Sequence, residues 1–217
     1  MPWKWSRFFD LLEHRVPISV WQHFYIVVLT MLLAMLIALP LSVLLTRPSF
    51  RRYTGVVMSA INVLQSIPSL ALLALAMPLL GLGLKPALTA LTFLSIMPIA
   101  KNTIAGLDGV DVSMKEAAQG MGMTPRQVLW EVELPLAMPV IMTGIRTSVV
   151  LAISSGTLAS VIGSGGLGDL IYLGILMNWK EPLIIGAGLS AIIATLADLA
   201  LNRFSLRFVP PGTTVED

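Results

Sequence analysis

Few residues of this chain have the type and spacing to do covalent chemistry. Its 217 residues include no cysteine and two histidines, His14 and His23. Disulfides and thiolate metal sites are excluded, and two histidines near the N-terminus offer no metal cluster. No stretch reads G-x-x-x-x-G-K-[ST], so the chain is not itself an ATPase. The informative pattern is mechanical. Glu116-Ala117-Ala118, Gly122 and Val132-Glu133-Leu134-Pro135 mark a polar insert in a chain otherwise apolar enough for a membrane. Ser113 and Glu116 read as a capping box that opens one helix, which Gly120 and Gly122 stop. Thr124-Pro125-Arg126-Gln127 reads as a second start, with proline at the first helical position. Pro135 and Pro139 should end or bend that helix. Small Ala117 and Ala118 leave room for another surface to approach. The pair of helices suits either a connector packed on its own protein or a socket for a partner. A DNA-reading helix-turn-helix would need a basic second helix, whereas Arg126 stands against Glu131 and Glu133, so no nucleic acid is expected.

Two further groups carry possible function. Ser59, Asn62, Gln65, Ser66 and Ser69 recur at helical spacing and make a polar stripe on an apolar helix. Such side chains are costly in lipid, so the stripe should face protein or water. It either bonds between helices or lines a translocation path, for which Asn62, Gln65, Ser66 and Ser69 are the candidates. Gly163-Ser164-Gly165-Gly166-Leu167-Gly168 spells G-x-G-x-x-G. It follows an apolar helix with no βαβ unit around it, so the dinucleotide reading fails. Gly163, Gly165, Gly166 and Gly168 read instead as a bend or gate whose backbone is closed to alanine. No cofactor is expected in this chain.

The elements that must hold these residues are membrane helices. The chain is 56% hydrophobic and 12% charged, about half the charge of a soluble domain. A span needs about 20 apolar residues. Candidates are Phe24 to Leu45, a region from Gly55 to Leu84 interrupted by Pro68, Ala87 to Leu107, Leu136 to Ile162, and Leu183 to Leu201. The second region predicts one kinked span, or a short helix followed by a span. The fold class is an all-α polytopic membrane bundle of about five spans, forming a single domain over 1–217. Within it, 1–20 reads as an interfacial amphipathic segment, 108–135 as the insert and 208–217 as a tail. Ala152, Ser155, Gly156, Ala159 and Ser160 form a small-residue face for tight packing. Asp198, the one acid deep in a span, should pair with Arg203 or Lys101. With the N-terminus outside, eight Lys/Arg fall on the inner side and five on the outer, with Arg146 ambiguous. This bias places the insert and the C-terminus in the cytoplasm.

The spacing of Glu116, Ala117, Ala118, Gly122, Leu134 and Pro135 resembles the EAA loop of ABC importer permeases, with Val132 where isoleucine is usual. The resemblance extends over about residues 20–205. Asn62-Val63-Leu64-Gln65-Ser66-Ile67-Pro68-Ser69-Leu70, Gly120-Met121-Gly122-Met123-Thr124 and Gly163-Ser164-Gly165-Gly166-Leu167-Gly168-Asp169 look most like osmoprotectant permeases. These carry glycine betaine, carnitine, choline or related quaternary amines, and methionine-importer permeases are similar. The resemblance implies a type I ABC importer permease fold in a bacterial inner membrane. It also implies a coupling role for those six residues and ATP-binding cassette subunits that hold ATP and Mg. A second permease chain and an extracytoplasmic binding protein complete the implied assembly. A quaternary ammonium is normally held in an aromatic cage. At 7% aromatic, with Trp and Tyr mostly at the inferred interfaces, a high-affinity cage is not expected in this chain, in keeping with a separate binding protein. A secondary transporter or channel is the alternative class, disfavoured by the scarcity of buried acids and the lack of a visible repeat.

Overall fold

The computed structural model describes residues 3–208, so the expected tail lies outside it except for Phe208. Every regular element among the described residues is helical, the form that satisfies each backbone group within its own segment. Helix α1 (Trp5–Asp10) passes through a π turn (Leu11–Arg15) into α2 (Val16–Thr46), so Trp5–Leu45 is one helix of 41 residues. The expected interfacial segment is therefore continuous with the first span. Phe8 and Leu11 pack on Leu167, Leu170 and Ile185, while Trp5 and Phe9 stay exposed. Arg7 stacks 3.7 Å over the Trp179 ring and pairs at 3.3 Å with Glu181, which is buried.

The second apolar region breaks into α3 (Thr54–Ser66) and α4 (Ser69–Leu80), bent by 97°. Pro68 explains the break. The residue before a proline is pushed out of helical conformation, and Ile67 is extended with ψ 125. Neither half alone, at 13 and 12 residues, can cross a hydrocarbon core of ~30 Å. Four helices are long and apolar enough to span a membrane, or five if the bent pair counts as one. The five-span expectation fits this count.

Helix α5 (Leu84–Asp108) forms the centre. In its apolar window 61% is buried, against 11% for the peripheral α10 (Lys180–Ser205). Helix α8 (Leu134–Ala159) lies so close along α5 that a Cβ on Gly144 would stand 2.5 Å from the Pro98 carbonyl oxygen. Gly106 approaches Ala137 similarly, and the Ser148 hydroxyl donates to the Ser95 carbonyl at 2.8 Å. Small residues and hydroxyls are what close helix packing in lipid requires. Most of the small-residue face of α8 is buried as expected, with Gly156 against the His23 ring and Ala159 beside Ile26 and Leu91; Ser155 is only half-buried.

Asp198 does not pair with Arg203 or Lys101. Arg146 of α8 takes both carboxylate oxygens, Nη2 at 2.9 Å, and its Nη1 donates to Asn202 at 2.6 Å. Arg203 lies five residues along α10 and so misses the neighbouring i+3 and i+4 positions. Lys101 sits on α5, which packs along α2 and α8 rather than α10. Removing one partner of this pair strands the other. Arg146→Met and Asp198→Leu should each lower the melting temperature in detergent more than the double replacement does. Each single cost should fall below the ~3–5 kcal/mol of a fully buried pair, because the two side chains are 33% and 34% exposed. A double variant as unstable as the worse single would contradict this.

Candidate functional site

The insert begins at α6 (Val112–Gly120), but Ser113 is not its cap. Asp111 is, and its carboxylate accepts from the Ser113 amide at 2.9 Å. The helix starts two residues earlier than the capping-box spacing implied, so Ser113 is already inside the first turn. The same amide holds the Asp111 carboxyl below the usual carboxylate range. The cap is therefore charged at neutral pH and weakens as pH falls through that lowered pKa. At the other end Gly122 adopts φ +87, a left-handed stop that other residues resist. Thr124 and Gln127 form the expected reciprocal capping box.

The second insert helix is not separate from the fourth span. Helix α7 (Pro125–Gln127) runs through a π turn (Val128–Glu133) into α8, making Pro125–Ile162 one helix of 38 residues. Pro135 does not stop it. It lies in the first turn of α8, just after the wide turn, where the ladder can absorb the missing donor.

Glu116 and Ala117 are exposed on α6, as a docking surface requires. Ala118 is not available: it is 2% exposed, in the helix that packs against the π turn of its own chain. Its small size serves internal packing. Leu134 is half-buried against Leu107 and Ala137, and Pro135 is exposed. The sequence reading missed Glu133. This acid is buried, accepts from Arg47 Nη2 and stands 3.6 Å from Lys115 Nζ. The available signal was an acid placed between Val132 and Leu134.

The polar stripe divides. Gln65, Ser66 and Ser69 line a cleft of about 440 Å³ at the α3–α4 break, with Ile67, Pro68, Leu94, Leu151 and Ser155. Asn62 is exposed outside that lining, and its carbonyl accepts from the Ser66 hydroxyl at 3.1 Å. Leu94 lies ten residues into α5, about 15 Å from its Leu84 end, so the cleft opens near the middle of the bundle. Ser155, assigned above to packing, supplies a hydroxyl from α8 to this cleft.

The glycine bend joins a 3-10 turn (Ser160–Ile162) to α9 (Leu167–Met177), with no strand before it. Gly163, Gly165 and Gly166 have φ of +79, +80 and +100. Gly168 differs. It is helical, and its role is space: a Cβ there would lie 1.9 Å from the Thr157 carbonyl oxygen. The bend is also held from outside. The Gly166 amide donates to the Gln22 side chain at 3.1 Å, and His23 packs against Gly166.

Long apolar helices, a polar cleft at the α3–α4 break and a capped polar insert at one end make this a polytopic helical membrane protein. The chain belongs to the binding-protein-dependent transport system inner membrane component family, whose pattern matches residues 31–209. It is 43% identical over 194 residues to the choline transport system permease protein OpuBB of Bacillus subtilis, covering 89% of this chain and 88% of that one. The glycine betaine/carnitine/choline permease OpuCB of the same organism is 42% identical, with 88% and 87% covered. The osmoprotectant import permease OsmY of Salmonella typhimurium is 41% identical, with 87% and 80% covered. An inward-facing structure of the MetNI methionine ABC transporter matches with TM-score 0.80 and 23% identity, over 88% of this chain and 95% of that one. That likeness is one of fold. The chain is a permease subunit of an ABC importer and not an enzyme; hydrolysis is the task of a separate ATPase.

The bend supplies a direct check. Gly168→Ala should displace α9 and sharply lower the yield of folded protein. Gly188→Ala meets nothing within 4 Å inside α10 and should leave the yield unchanged, with a helix-propensity gain of up to about 1 kcal/mol. Equal yields from the two would show that α9 does not sit where the contact requires.

Proposed function

We propose that this chain is the permease of an ATP-driven importer of osmoprotectants, with glycine betaine, carnitine, choline or a related quaternary amine as substrate. The observation that carries the reading is near-full-length identity above 40% to permeases named for these compounds, against 23% for the methionine transporter. The cleft fits it. Gln65, Ser66, Ser69 and Ser155 offer neutral polar groups, and a substrate with a fixed positive charge is released faster where no buried acid binds it. Two permease chains would enclose this route. An extracytoplasmic binding protein would deliver the substrate, and Mg-ATP would be bound by the cassette subunits.

Coupling falls to the insert. Glu116 and Ala117 present the docking surface, Gly122 sets the exit angle of α6, and Leu134 and Pro135 carry displacement into α8. The greater share of Lys/Arg at this end favours a cytoplasmic insert in a bacterial inner membrane, with the N-terminus outside and the C-terminus inside. The native chain has no cysteine, so topology can be read cleanly. Gly212→Cys should resist an impermeant thiol reagent added to intact cells; labelling would reverse the assignment.

Substrate is tested by expressing the permease with its ATPase and binding protein in cells lacking other osmoprotectant uptake. Labelled choline, glycine betaine and carnitine are offered beside methionine. Uptake of at least one quaternary amine is expected. Uptake of methionine alone would overturn the reading. In the same cells Ala117→Trp and Gly122→Val should insert normally yet reduce uptake and substrate-stimulated hydrolysis about tenfold or more. Wild-type transport by both would remove the coupling role.

A further inference from the structure

The acid that the sequence reading passed over joins four elements at the insert-bearing end. Glu133 is 5% exposed, whereas Glu116 and Glu131 are exposed. Its carboxylate meets two cations from different helices. Arg47, the C-cap of α2, donates Nη2 to Glu133 Oε2, and its Nε donates at 3.3 Å to the Val43 carbonyl and the Thr46 hydroxyl. Lys115 of α6 stands 3.6 Å from Oε1 and donates at 3.1 Å to the Leu107 carbonyl, in the last turn of α5. Each cation is thus fixed to a helix end before it reaches the acid. A buried carboxylate that loses its partners bears an uncompensated charge, so these ends are held to move together.

Covalent continuity links the insert to α5 and α8 only. The first span has no direct covalent connection to it, and the ion cluster supplies a non-covalent one. We propose that Glu133 is a positioning residue for energy coupling: through Arg47 and Lys115 it ties α6 to the inner end of α2, so that displacement of the insert by the ATPase also moves the first span. This rests on the coupling role proposed above for the insert.

The test uses the purified complex of permease, ATPase and binding protein in lipid, with choline or glycine betaine as stimulating substrate. Glu133→Gln keeps shape and removes charge; Arg47→Gln removes the partner; Arg47→Lys keeps the charge. Glu133→Gln and Arg47→Gln should retain ATPase co-purification and basal hydrolysis within about twofold, while stimulated hydrolysis falls about tenfold. The double Arg47→Gln/Glu133→Gln variant should be no worse than Glu133→Gln alone, since both act through one contact. Arg47→Lys should recover most of the stimulation. Normal stimulation in Glu133→Gln overturns the proposal. So does a parallel loss of assembly, basal and stimulated hydrolysis, which marks a merely structural acid. Additive losses in the double variant also overturn it. Failure of the coupling role itself is distinguishable, because Ala117→Trp and Gly122→Val would then keep normal stimulated hydrolysis, whereas failure of this proposal alone leaves those two impaired and Glu133→Gln normal.

Discussion

The close approach of α5 and α8 is the contact on which the rest of the bundle depends. Gly144 against the Pro98 carbonyl and Gly106 against Ala137 allow the two backbones to meet where side chains would hold them apart. Lipid tails are as apolar as leucine, so burying leucine gives no preference for a partner helix. Shape and hydroxyl bonds give it instead, through Ser148 of α8 to the Ser95 carbonyl of α5 and Ser42 of α2 to the Ala100 carbonyl of α5. These are also the helices between which the insert is strung. Their separation at the Leu107 and Ala137 end therefore sets the frame in which α6 and the π turn must fit.

Polar groups at the two ends of the bundle follow one logic. Glu181 at the glycine-bearing end and Glu133 at the insert-bearing end are buried acids, each held by an arginine from the opposite terminus of the long first helix, Arg7 and Arg47. The first helix is thus fastened at both extremities, with Gln22 and His23 against the glycine bend between them. Charge paired in this way fixes orientation where apolar packing alone would allow a helix to slide or turn.

Local signals were legible in the sequence, and partners across the fold were not. Apolar run lengths located the long helices, Pro68 located the break, and Thr124 with Gln127 announced a capping box, because each depends on neighbours a few residues away. Asp111 took the cap from Ser113 because two acceptable acceptors lay two residues apart and only the path out of α5 decided between them. Arg146 claimed Asp198 through helix packing that no spacing reveals. Ala118 looked like docking surface because exposure of a small residue depends on the π turn that covers it. Of the cleft, Gln65, Ser66 and Ser69 were readable as one stripe; Ser155 joined them from a helix 90 residues away.

The break at Pro68 has a consequence for how the chain enters its membrane. Segments of 13 and 12 residues are each too short to lodge across the bilayer as they leave the ribosome. Translation has therefore to reach α5 before α3 and α4 gain a scaffold. The cleft is therefore complete only once α5 and α8, which supply Leu94, Leu151 and Ser155, have been made.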